Sequence, residues 1–96
     1  MRVTVRVPSP LRQFAESRSK VLLDVHDDGS PTVAAVLASL RAVYPGVYER
    51  TLDERGQIRQ HMNIFLNTEN VKGTRGLHTP VSPGDEISII PAVSGG

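Results

Sequence analysis

The stretch "PGDEISIIPAVSGG", Pro83 to Gly96, decides how this chain is read. Its Pro-Gly-Asp opening has the residue types of a tight turn, and the turn launches Glu86 to Pro91 as a strand. Within that strand Ile87 and Ile89 share one face, while Ser88 and Ile90 share the opposite one. The chain then closes on Gly95-Gly96. Glycine loses more freedom on folding than any other residue, so a glycine pair after a strand is expected to stay out of the packing. We expect residues 91–96 to form a flexible tail that other proteins handle.

A second strand of the same kind stands at the other end of the chain. Arg2 to Val7 alternates strictly, with Val3, Val5 and Val7 on one face and Arg2, Thr4 and Arg6 on the other. Pro8 and Pro10 end it, and Leu11 to Ser19 reads as a loop from which Leu11 and Phe14 tuck back onto the core. Lys20 to Val25 is a further strand, and Asp27-Asp28-Gly29 turns the chain. Ser30 supplies an N-cap side chain and Pro31 a first helical residue. From there Val33, Val36, Leu37, Leu40 and Val43 recur at helical spacing, and Pro45-Gly46 stops the helix. Val47 to His61 reads as an irregular connection with one helical turn around Tyr48 to Leu52. Met62 to Asn67 is a strand that puts Met62, Ile64 and Leu66 on one face and Phe65 on the other. "NTEN" is a turn signal, and Val71 is expected to start a short edge strand.

The order strand, strand, helix, strand, short strand, strand predicts an α+β fold: a mixed four- to five-stranded sheet with one main helix on one face. Its apolar first and last strands should lie centrally, side by side and parallel. Ninety-six residues fit a single domain over 1–96. Charge is balanced, with 11 basic and 10 acidic side chains dispersed along the sequence, so no basic stripe points to nucleic acid. There is no cysteine, which excludes disulfides, thiolate metal sites and a cysteine nucleophile. No segment has the length or apolarity of a secretion signal or a membrane span, and the expected location is cytoplasmic.

That element order with a terminal Gly-Gly resembles the β-grasp, ubiquitin-like fold, and specifically the sulfur-carrier proteins of the MoaD/ThiS family. The resemblance covers the whole chain and is sharpest in "PGDEISIIPAVSGG". Within the family, "MNIFLN" and "IIPAVSGG" look most like the CysO type, which feeds sulfur to cysteine synthesis. The resemblance implies a carrier rather than an enzyme. Its partners would be a ubiquitin-activating-like adenylating enzyme, a sulfurtransferase and a sulfur-accepting biosynthetic enzyme. It also implies that no cofactor is bound by this chain, ATP and Mg being used by the activating partner.

A carboxylate is a poor electrophile until its oxygen becomes part of a better leaving group, so the Gly96 carboxylate would first be adenylated. A sulfur nucleophile such as an enzyme persulfide then leaves a C-terminal thiocarboxylate. Gly95 and Gly96 offer bare backbone that can thread a narrow channel, and Ala92, Val93 and Ser94 are correspondingly small. Pro91 to Gly96 spans about 20 Å when extended. Phe65 and Ile90, apolar yet facing away from the helix, are the candidate docking pair, unless a loop covers Phe65 or the register is shifted by one.

Arg75, between two glycines, is a candidate contact for a partner's acidic patch or an ATP phosphate, with solvent as the alternative neighbour. His26, His61 and His78 lack the short spacings of a metal site, and the paired acids Asp27-Asp28, Asp53-Glu54 and Asp85-Glu86 read as turn residues. Two other functions begin from the same fold. One is a protein modifier joined through Gly96 to target lysines, and the other is a small subunit of molybdopterin synthase.

Overall fold

The computed structural model describes residues 1–26 and 29–92. The Asp27-Asp28 part of the expected turn and Val93, Ser94, Gly95 and Gly96 of the expected tail lie outside the described residues. Five strands form one sheet: β1 (Arg2–Arg6), β2 (Lys20–Asp24), β3 (Met62–Leu66), β4 (Glu69–Asn70) and β5 (Glu86–Pro91), in the order β2-β1-β5-β3-β4. The central β1 and β5 run parallel, with Val5 opposite Ile87, and every other neighbouring pair is antiparallel. These two strands occupy the middle because they have the apolar face to fill it. Val3, Val5 and Ile87 are all 0% exposed.

Helix α1 (Val33–Val43) covers the inner face with Val33, Val36, Leu37 and Leu40, all buried. Val43, which the spacing put on the same stripe, is 54% exposed because the helix ends there and the chain turns away. The helix also starts later than its sequence signals predict. Pro31 accepts from the Val81 N–H at 3.0 Å and Thr32 bridges Pro80, so this segment is held extended against the chain that precedes β5. Thr32, not Ser30, is therefore the N-cap, its hydroxyl accepting from the Ala35 N–H at 3.4 Å.

Pro45-Gly46 ends α1 as expected, but Pro45 also opens a second helix, α2 (Pro45–Thr51). A proline whose missing N–H stops one helix suits the first position of the next, where that donor is an orphan in any case. The region expected to be mostly irregular thus contains a seven-residue helix that buries Val47 and Thr51. Leu11 and Phe14 do pack back, through a 3-10 turn over Ser9–Phe14. Gly46 permits a close approach there, since a Cβ on it would lie 3.1 Å from the Phe14 Cβ.

The edge strand is Glu69–Asn70 rather than a strand begun by Val71, which instead starts a 3-10 turn and is fully buried. The turn before β5 is built by its own polar residues. Gly84 adopts φ +84°, and the Asp85 carboxylate accepts from the Ser82 N–H at 2.8 Å and from the Asn67 side chain at 3.2 Å. One helix-covered face, one open face and parallel central terminal strands make this a β-grasp fold.

Candidate functional site: the open sheet face and the root of the tail

The alternation that sends Ile87 and Ile89 inward sends Ser88 and Ile90 outward, and the register then fixes what surrounds them. Asn63 lies opposite Ile90, and Phe65 opposite both Ser88 on one side and Asn70 on the other. Phe65 and Ile90 are therefore diagonal neighbours on the open face, Phe65 half-buried and Ile90 42% exposed. Leu22 shares this face and is 67% exposed. The pattern reading passed over it, although Val21 and Leu23 both facing inward already required Leu22 to face outward.

At the end of β5, Pro91 lies opposite Met62. The Met62 N–H is turned to Arg59 O, 3.0 Å away, and β1 has already ended at Arg6, so the N–H that proline lacks is not needed in the ladder. Ala92 is exposed and donates its N–H to His61 O at 2.7 Å. Pro91 and Ala92 thus form the root from which the remaining residues depart.

The root lies between two grooves. One, about 380 Å³, is bounded by Leu11, Met62 and Pro91 with Arg50 and Arg59 at its sides. The other, about 340 Å³, is bounded by Arg6, Arg12, Ile90 and again Pro91. The cations here are held in place by main chain. Arg12 Nε donates to Val7 O at 3.0 Å, Arg59 Nε to Glu49 O at 3.0 Å, and Lys72 Nζ to Met62 O at 3.2 Å. Arg50 donates to Gly46 O at 3.1 Å and lays its guanidinium over the Phe14 ring, 3.6 Å from the centroid. The ion pairs among the described residues are Arg2 with Asp24 and Arg6 with Glu86, so Arg12, Arg50, Arg59 and Lys72 are not ion-paired there, although Arg59 shares a further groove with Glu49, Asp53 and Glu54. No sequence signal marked these residues, because positions 6, 12, 50, 59 and 72 share no spacing.

Arg75 is not brought to this site. It is exposed, and the loop holding it is tied by Thr79, whose hydroxyl accepts from the Arg75 N–H at 3.2 Å and lies 2.8 Å from the Thr74 hydroxyl. Thr74 and Thr79 border the turn at Leu66 to Glu69, at the opposite end of β3 from Met62. The Asp53 carboxyl titrates below its ordinary value. The Gln57 N–H, chiefly, and then that of Arg55 donate to its carboxylate and hold it below the ordinary 3.8, with Arg59 and Arg55 charges assisting and desolvation opposing. It is a turn-forming group, as its place in the sequence implied. Among the described residues no three His, Cys, Asp or Glu side chains converge as a metal site.

Residues 5–96 match the ThiS family. The chain is similar to the sulfur carrier protein CysO of Mycobacterium tuberculosis, 36% identical over 98 residues and all of both chains. It is also similar to small archaeal modifier protein 3 of Haloferax volcanii, 32% identical over 96 residues and again all of both. Among solved structures, a chain of the Amycolatopsis orientalis BexX/CysO complex superposes with a TM-score of 0.82 at 30% identity, covering 98% of this chain and 99% of that one. With β5 leading from the middle of a β-grasp sheet into the Gly-Gly end, and likeness running along the full length, the chain belongs to the ThiS family.

Proposed function

We propose that this chain is a sulfur carrier: a co-substrate protein, not an enzyme, whose Gly96 carboxylate is activated by one partner, loaded with sulfur by another and emptied by a third. The observation that supports it is the placement of β5. A strand pinned between β1 and β3 carries the chain to Pro91 at the end of the sheet, with the Gly-Gly sequence still to come. Full-length likeness to a sulfur carrier protein supports the same reading. The Gly96 carboxylate oxygen attacks the α-phosphate of ATP and expels pyrophosphate, giving an acyl-adenylate. A persulfide sulfur then attacks the carbonyl and AMP leaves, and reduction of the resulting acyl disulfide by a thiol frees the thiocarboxylate. ATP and Mg sit on the adenylating partner, and the cytoplasm supplies both.

Phe65 and Ile90 offer the apolar contact of docking, and Pro91 to Ser94 lead the end inward. The acceptor that fits the likeness to CysO is an enzyme of cysteine synthesis. A protein-modifier role is favoured by one specific observation, the likeness to small archaeal modifier protein 3. Intact-protein mass spectrometry tests these readings, after incubation with ATP, Mg, a ubiquitin-activating-like enzyme and a sulfide source. Oxygen replaced by sulfur, and the change abolished by deleting Gly96, is the expected result. A higher-mass conjugate through an isopeptide bond would favour the modifier. An unchanged mass across several activating enzymes would refute both.

A further inference from the structure

We propose that Arg12, Arg50, Arg59 and Lys72 form a cationic docking ring around the root of the tail, fitted to a partner protein whose tail-receiving mouth is rimmed with carboxylates. This rests on the carrier reading for its purpose, though not for its geometry. Any protein that takes up the tail must come close to Pro91, and Pro91 is a wall of both grooves whose flanks carry these arginines. A partner that takes up the tail as far as Pro91 therefore meets the ring.

The charge is local. The whole chain carries only +1, yet around Pro91 these cations line grooves or donate to the adjacent main chain, and none of the four is in an ion pair among the described residues; acids stand near Arg59, which shares a further groove with Glu49, Asp53 and Glu54. Cations without ion-pair partners around the root attract an acidic mouth, which raises the productive encounter rate without raising non-specific attraction over the rest of a nearly neutral chain.

The ring is also built to be presented. Each arginine spends one N–H on a backbone carbonyl, which fixes the guanidinium and leaves other donors of the fork for an incoming carboxylate. A polynucleotide fits less well. Single-stranded recognition needs aromatic platforms for bases, and the Phe14 ring beside these cations already has a face covered by Arg50.

The test has two arms. With an adenylating enzyme that loads the wild-type chain, the reversal R50E/R59E is expected to raise the KM for the carrier about tenfold or more at low salt, with kcat retained. R50K/R59K should restore most of that loss, added salt should raise the wild-type KM, and circular dichroism should give the reversed chain the wild-type spectrum and a cooperative melt, at a midpoint lowered by the lost Phe14 and main-chain contacts. Should R50E/R59E fail to fold, the exposed Lys72→Glu gives the same readout. A KM indifferent to both reversal and salt overturns the ring while leaving the carrier reading intact.

The second arm needs no activation: titration with a hexaglutamate peptide, followed by amide chemical shifts. Perturbations centred on Arg12, Arg50, Arg59, Lys72 and Ala92 are expected. Perturbations spread equally to Arg2 and Arg75, or tighter binding of hexauridylate than of hexaglutamate, overturn the proposal. If no enzyme loads the wild-type chain, the carrier reading falls and this titration alone decides the ring.

Discussion

Adjacent isoleucines in β5 make the sharpest test of the sheet, because Ile89→Ala and Ile90→Ala remove the same atoms from opposite faces. Ile89 is 2% exposed and lies opposite Ile64, itself fully buried. Three buried carbons at about 0.8 kcal/mol each, plus a cavity that the sheet and α1 cannot close, give a cost of about 3 kcal/mol. Ile90 is 42% exposed, and solvent fills the space its side chain leaves. With no cavity term and roughly half the transfer term, its truncation costs about 1 kcal/mol. For a domain of this size each kcal/mol moves the midpoint by about 4–8 °C, so Ile89→Ala should melt about 12–24 °C lower than the wild type and Ile90→Ala only about 4–8 °C lower. Urea unfolding followed by circular dichroism measures both differences, with the slope m unchanged. Equal costs, or a larger cost at Ile90, would mean that the strand is shifted by one residue and that the open face carrying Phe65 is the core face.

Three further outcomes follow from particular contacts. Thr32→Ala should cost about 1 kcal/mol through loss of the α1 cap, while Ser30→Ala at an exposed position should change urea stability by less than about 0.5 kcal/mol. The reverse ranking would restore the earlier helix start. Gly84→Ala should cost about 1–2 kcal/mol from backbone alone, because φ is +84° and a Cβ there meets nothing within 4 Å. A neutral effect in thermal melts would show that the turn can adopt another conformation. The Asp53 carboxyl should titrate below 3.8, so its contribution to the 53–57 turn is present above that value and is lost as the pH falls through its folded midpoint. Carboxyl carbon shifts against pH measure it, with the Gln57 and Arg55 amides moving in step, and a midpoint at or above 3.8 contradicts the geometry.

Period-two alternation was enough, from sequence alone, to place β1 and β5 at the middle of a sheet and to turn Phe65 and Ile90 away from the helix. Side-chain parity along a strand is local, and burial of valine and isoleucine leaves one choice of face. The identity of β5 followed from the Gly84-Asp85 turn for the same reason. Pro31 and Pro45 were harder. Pro31 was expected to be the first helical residue and instead lies before the helix, whereas Pro45 stops one helix as expected but also begins another, because what a proline does depends on what its neighbours bond. Strand-like contacts from Pro80 and Val81 moved the start of α1 to Val33, and burial of Val47 and Thr51 stabilised α2. Nothing local encodes those partners.

The ring around Pro91 is the extreme case. Arginines dispersed through the sequence read as ordinary solvated charge, and the balanced composition gave no sign of a patch. Chain reversals at Pro8 to Phe14, through α2 and into β3 bring positions 12, 50, 59 and 72 to one end of the sheet. Charge summed along a sequence carries no distances, whereas the Coulomb interaction depends on little else. Sequence thus determined the four longer strands and their faces, and only the tertiary structure decided where the edge strand lies and which charges surround the end of β5.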